Sequence, residues 1–578
     1  MQNLLKKFRK NWILIAISII LILGIILRFY RFTEIPVSMY WDEAALGYNA
    51  YTISETGKDE YGTSFPLMFR SFDDYKASGY IYLTAIFVKI FGLSEFSIRF
   101  GSALLGSLSI LLVFFLTRDL LNFNFASNEG KKSKGNHMFP ASLLRYGKYI
   151  PLVTALLFAI SPWHLQFSRT GFEANGAHFL ILLGAVLFFR FINTQKRFYL
   201  ILASIAFGIS FYFYRSILVF APPFLLGLSV IYFRYIFTKN NIVVLLASSV
   251  IFFSISMPMI MTLQTPEGSI RANQVSIALE FKNKEFENAK KINSPDSNLL
   301  TRAFYNRRFT PLHVFFANYI KYFDPRYIFL NGDGNLRHGV GGMGVMYLWT
   351  APFILLGLLQ AVRLRKEIRN TIFLWILVAP VPAAMSLPSP HNLRSFNVLP
   401  MYELLTVLGI FLVLSQVPKK AKTIFITVLF LVATYFFATY LTKYYGEYSR
   451  ISSLDWADGY RQLAEYTIPR EDKYEKIIIS GHYWKPYVYF LFYKKYPPEK
   501  FQGIGSSYGF DKYIFGGTSW VYGDKELSFV KLRDVAGEDD ILVAVSPQEF
   551  KHQEINLRVL KEIKNHNGDI VFYVAEIR

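Results

Sequence analysis

The stretch Trp12-Ile-Leu-Ile-Ala-Ile-Ser-Ile-Ile-Leu-Ile-Leu-Gly-Ile-Ile-Leu-Arg28 decides the fold class. A bilayer core of about 30 Å needs about 20 apolar residues in a helix, and this run supplies nearly all of them without a charge before Arg28. Lys6, Lys7, Arg9 and Lys10 precede it. A basic leader before an apolar run also describes a secretory signal. Here Arg28-Phe-Tyr-Arg31 follows in place of a small-residue cleavage site. The run is therefore expected to be an uncleaved signal anchor with its N-terminal side in the cytoplasm.

Working outward, further apolar runs predict spans at 97–120, 149–168, 174–192, 198–213, 216–233, 242–263, 345–362, 371–387, 396–416 and 422–442, eleven in all. The short run Tyr80 to Gly92 is expected to lie on or dip into the outer face. Were it to cross, Lys131, Lys132, Lys134, Arg145 and Lys148 would fall outside, against the preference of basic loops for the cytoplasm. The remaining cytoplasmic connections then carry Lys196 and Arg197, Arg234 and Lys239, Arg363, Arg365, Lys366 and Arg369, and Lys419, Lys420 and Lys422.

Composition agrees with this reading. The chain has 578 residues, enough for three or four soluble domains, but 53% are hydrophobic, 18% aromatic and only 18% charged. Its mean hydropathy of +0.28 suits a membrane protein with sizeable polar parts. So many aromatics exclude disorder. The absence of Cys excludes a disulfide framework, a Cys-ligated zinc, an iron–sulfur cluster and a thiol nucleophile. The net charge of +21 would suggest nucleic acid, but most of it sits in the cytoplasmic connections, where it signals topology and attracts lipid headgroups.

The expected architecture is a polytopic α-helical membrane domain, residues 1–442, with outer loops at 29–96 and 264–344. A small extracytoplasmic α/β domain follows at 443–578. In this tail, Lys476–Ser480, Ile541–Val545 and Ile570–Val574 read as strands; Asp455–Tyr466 and Gln553–Lys564 read as helices. Neither an internal repeat nor a low-complexity tract is evident.

The polar clusters gather on the outer face. In Tyr40-Trp41-Asp42-Glu43, two readings of Asp42 are open: a cap on a short interfacial helix, or a general base beside a membrane-embedded substrate. In Asp73-Asp74-Tyr75-Lys76, Lys76 either snorkels to the interface or meets a lipid phosphate. Arg169 and Glu173, at the junction of two spans, either pair at headgroup level or support a site. His391 and Arg394 are donors without a nearby acid, as an anion site requires. The Gly-rich stretch Asn331 to Gly342 lacks phosphate-loop spacing and reads as a turn-rich linker or a cover. Arg215, His178 and Glu403 are secondary candidates.

This ordered set resembles the GT-C glycosyltransferases, in particular the family 39-like group of protein O-mannosyltransferases and lipid A aminoarabinose transferases. Its carriers are Asp42-Glu43, Tyr75-Lys76 followed by Tyr80-Ile-Tyr82-Leu83, Ser94-Glu-Phe-Ser-Ile-Arg99-Phe, Ser161-Pro-Trp-His164 to Asn175, and His391-Asn-Leu-Arg394. Relatives often have Lys-Pro-Pro where this chain has Lys76-Ala77-Ser78. The resemblance implies a first-loop acid as catalytic base, matched by Asp42 with Glu43 beside it. It also implies basic residues on the phosphate of a polyprenyl-phosphate sugar, matched by Lys76, Arg394 and His391, with Arg169, Glu173 and Tyr75 supporting. The acceptor would be a protein, lipid or glycan. One base and one phosphate clamp imply inversion. No cofactor is expected; a divalent ion on Glu43 and Glu173 is the other reading. A transporter or flippase for a lipid-linked sugar is the alternative function.

Overall fold

The computed structural model describes residues 2–72, 74–126, 146–268, 276–294, 298–483, 485–506, 508–516, 540–551 and 557–577. The expected cytoplasmic loop with Lys131, Lys132, Lys134 and Arg145 lies outside them, as do Asp73 and the first part of the helix expected at Gln553–Lys564.

The chain is predominantly helical. It forms α1 (Gln2–Phe29), α2 (Trp41–Thr56), α3 (Gly79–Phe91), α4 (Glu95–Ala126) and a succession of further apolar helices up to Lys419–Thr442. Among the described residues, six helices are long and apolar enough to cross a membrane. A seventh is made if Ile150–Ile160 and Pro162–Ser168, bent by 58°, count as one. Phe198–Ser210, Ile217–Ile231 and Leu348–Val362 are apolar but shorter. The chain is thus a multi-pass membrane protein. Helix α3, only 13 residues long, occupies the run that was expected to lie on the membrane face.

The helices divide the residues into two compact units. One comprises Met1–Tyr30 and Ser102–Tyr440; the other comprises Arg31–Gly101 and Leu441–Arg578. This differs from the expected cut at 442, because the first long loop packs with the C-terminal region. The Tyr48 hydroxyl donates to the Tyr496 carbonyl (3.1 Å) and that of Tyr489 to the Met39 carbonyl (3.3 Å). Gly47 is needed for this packing, since a Cβ there would come within 2.3 Å of Ile98 and 2.9 Å of Phe492.

In the helical unit, Ala351–Val362 crosses Leu399–Gln416 so closely that glycine is required on both. A Cβ on Gly357 would meet the Leu405 carbonyl oxygen at 1.9 Å, and one on Gly409 the Phe353 carbonyl oxygen at 2.0 Å. Pro162 breaks the helix before it. The buried Arg28 guanidinium donates to the Ala159 carbonyl beside the break (3.1 Å) and lies 2.7 Å from His164 Nδ1.

The second unit holds a hairpin of β1 (Met68–Ser71) and β2 (Asp74–Ala77). It also holds a six-stranded mixed sheet of β3 (Lys476–Ile479), β4 (Gly509–Phe510), β5 (Tyr513–Phe515), β6 (Ile541–Val545), β7 (Leu557–Lys564) and β8 (Ile570–Ile577), in the order β4-β5-β3-β6-β8-β7. The three strands expected in the tail are present. The expected helix at Gln553–Lys564 is corrected: residues 557–564 form the edge strand β7, antiparallel to β8 with a register shift between Val559 and Lys561. The helix expected from Asp455 begins at Tyr460.

Candidate active site

Helix α2 starts at Trp41 with Tyr40 as its N-cap residue, and no side chain caps it. Asp42 and Glu43 are therefore first-turn acids, favoured by the positive end of the helix dipole. The cap reading of Asp42 is corrected. The helix ends at Gly57, whose φ of 69° is left-handed and whose N–H returns to the Ile53 carbonyl.

The two neighbouring acids differ completely. Asp42 Oδ1 lies 2.8 Å from Lys76 Nζ, with side-chain exposures of 27% and 13%. Strand β2 carries Lys76 opposite Phe69, and Tyr75 opposite Arg70. Glu43 is fully buried and accepts two hydrogen bonds from Arg99, from Nε at 3.1 Å and Nη2 at 3.0 Å. Arg99 also donates to the carbonyls of Phe32 (2.8 Å), Pro36 (3.2 Å) and Ser38 (2.6 Å). The Glu43–Arg99 pair thus fixes the chain that leads into α2, while the pair beside it is partly exposed.

A third acid of this unit, Glu60, was not foreseen. It is buried, and burial pushes its carboxyl up to about 8, with Asp59 adding to the effect. Its backbone N–H donates to Asn49 Oδ1 (3.1 Å). Arg99 was visible within a quoted motif, but its bond to an acid 56 positions away has no signature in spacing.

In the helical unit, the buried Arg169 donates to the carbonyls of Leu27 and Tyr30, collecting the end of α1. Glu173 opens the helix Glu173–Thr194. Arg394 Nη1 donates to Ser386 Oγ (2.9 Å) and the Leu387 carbonyl (2.8 Å), bracing its own loop. The ring of His391 packs on that of His338, with centroids 4.6 Å apart. The Gly-rich stretch that read as a linker is held in place: Asp333 Oδ2 lies 2.7 Å from His338 Nδ1 and accepts from the Asn392 backbone N–H (2.8 Å). His178 Nδ1 lies 2.9 Å from Asn397 Oδ1, and Glu403 is buried in its helix.

Residues 76–127 match the family model described as dolichyl-phosphate-mannose-protein mannosyltransferase. No curated protein matches the chain in sequence. The structure of ArnT from Cupriavidus metallidurans bound to undecaprenyl phosphate is similar over 98% of both chains, at 12% identity and a TM-score of 0.50. The oligosaccharyltransferase of Archaeoglobus fulgidus, tethered to an acceptor peptide, matches over 84% of this chain at 15% identity and a TM-score of 0.49. The chain spans about 63% of that protein's length. The fold is of the GT-C type, and the family match agrees with a GT-C glycosyltransferase of the mannosyltransferase and ArnT group.

Proposed function

We propose that the chain is a membrane glycosyltransferase that moves a sugar from a polyprenyl-phosphate donor to an acceptor at the outer face of the plasma membrane, with inversion. The observation that carries this reading is the half-open Asp42–Lys76 pair, 2.8 Å apart at the start of α2. Supporting it are the GT-C fold and the undecaprenyl phosphate named for the ArnT structure. The basic connections supply the orientation, with the N-terminus in the cytoplasm and the tail outside.

The pair divides the work. With no donor present, Lys76 neutralises Asp42. A donor phosphate arriving at Lys76 takes over its ammonium and frees the carboxylate to accept a proton. The acceptor oxygen or nitrogen attacks C1 of the sugar and passes its proton to Asp42. The bond from C1 to the phosphate oxygen breaks, and its electron pair leaves on the phosphate, where Lys76 meets the growing charge. A single displacement inverts the anomeric carbon. Glu43, bound to Arg99, acts as a positioning residue for the α2 start and does not touch substrate. The acceptor is a protein, lipid or glycan nucleophile.

The test is sugar release from a radiolabelled polyprenyl-phosphate donor by the purified chain in lipid nanodiscs. Cleaved sugar, with lipid phosphate accumulating in step, is expected. Translocation of intact donor without cleavage would instead make the chain a flippase.

A further inference from the structure

We propose that Asp333, His338 and His391 form a binding site for a divalent transition-metal ion of the zinc class. One carboxylate oxygen and one ring nitrogen from each histidine lie within 4.8 Å of one another. The side chains are withdrawn from solvent: 4% exposure for Asp333 and 7% for His338, with His391 also buried. Two imidazoles and one carboxylate are a donor set suited to zinc with a position left open.

The surroundings hold the three side chains in place. The 2.7 Å contact holds a proton between Asp333 Oδ2 and His338 Nδ1; an ion that takes both atoms as ligands displaces that proton, as metal binding to an imidazole requires. The Asp333 oxygens also accept from the backbone N–H groups of Asn335 (3.0 Å) and Asn392 (2.8 Å), which hold the carboxylate in place. Asn392 Nδ2 donates to the His338 carbonyl (3.2 Å), so the loop around Asp333 and the loop around His391 are already tied together. A small cavity lined by Trp163, Gln166, Asn331, Asp333 and His338 lies beside the cluster, where a fourth ligand such as water has room. Bonds of about 2.0–2.1 Å place tetrahedral ligand atoms about 3.3 Å apart. The Asp333–His338 contact, now 2.7 Å, needs to open by only a few tenths of an ångström.

The consequence is a cross-link. Gly332, Gly334, Gly341 and Gly342 all adopt positive φ, so this stretch has a backbone that few side chains would stabilise. An ion joining Asp333 and His338 to His391 would fasten it across 53 residues of sequence. The inference does not depend on glycosyl transfer, because it is read by binding alone.

The full-length chain, purified in detergent and stripped with a chelator, is titrated with Zn²⁺ against a chromophoric competitor, and separately with Co²⁺ while visible absorption is followed. The expected result is one tight Zn²⁺ per chain and a Co²⁺ band of tetrahedral type. His338→Ala and His391→Ala should each weaken that equivalent at least 30-fold, and Asp333→Asn about 10- to 100-fold. Zn²⁺ should raise the melting temperature of the parent and leave that of the His338→Ala/His391→Ala double variant unchanged. The proposal is overturned if the parent binds neither ion above the double variant. It is equally overturned if the variants retain the tight equivalent. Should the variants fail to fold, the parent's stoichiometry and Co²⁺ spectrum decide.

Discussion

Asp42 and Glu43 are adjacent in sequence, both open the same helix, and both pair with a cation, yet they live in opposite worlds. The Glu43–Arg99 pair is sealed, with every polar edge of the guanidinium committed to protein. The Asp42–Lys76 pair keeps surface on both partners. A sealed pair stabilises a unique backbone path and is closed to substrate. A partly exposed pair is less committed and can exchange partners. The proposed chemistry is placed at the partly exposed pair.

The largest effect should come from Asp42→Asn, which keeps the shape of the open pair but cannot take a proton. Turnover should fall about 10²- to 10⁴-fold with folding and donor binding preserved. Transfer within a few-fold of parent would end the assignment of Asp42. The sealed pair should respond in the opposite currency. Arg99→Met removes the guanidinium from the buried Glu43 and should cost about 3–5 kcal/mol of stability, seen as a lower melting temperature even where residual activity is measurable.

Glu60 sharpens the comparison, as an acid that is sealed without a strong cationic partner. Its carboxyl is raised from an ordinary 4.5 to about 8 in the folded chain. The folded state then holds this proton more tightly than the unfolded one. Stability should therefore fall as pH rises from about 4.5 through about 8 and level off above, by a few kcal/mol in total. Glu60→Gln should flatten that part of the profile, raising the melting temperature near pH 8 and leaving it almost unchanged near pH 4. An unaltered slope in the variant would assign the pH dependence to other groups. The mildest change is Lys76→Ala, which removes one charge-assisted contact. Donor efficiency should drop about 10- to 150-fold, the equivalent of about 1.5–3 kcal/mol, with the fold unchanged. Parent-like donor kinetics would exclude a phosphate role for Lys76.

The helices were legible because an apolar run of sufficient length has few other fates, and the strands of the tail because Ile477–Ile479 and Ile541–Val545 are short β-branched runs. Residues 557–564 misled because Leu557, Leu560 and Ile563 also satisfy helical spacing. Pairing with β8, a long-range contact, settled the strand. The same limit hid the polar pairs. Sequence placed Asp42 and Lys76 near each other in function but not in contact, and it offered Asp42 as a cap. It read Asp333 and His338 as parts of a linker because the histidine that joins them is 53 positions further on.

Arg28 carries one more consequence. Its guanidinium reaches from the first span to the carbonyl of Ala159, at the point where Pro162 interrupts a later helix. In a chain synthesised from its N-terminus, this donor enters the membrane well before the acceptor that requires it. The first helix is thus a reserved fitting, holding a place for a segment yet to be made. A generic apolar anchor in its stead would deliver the chain to the membrane and leave that joint open.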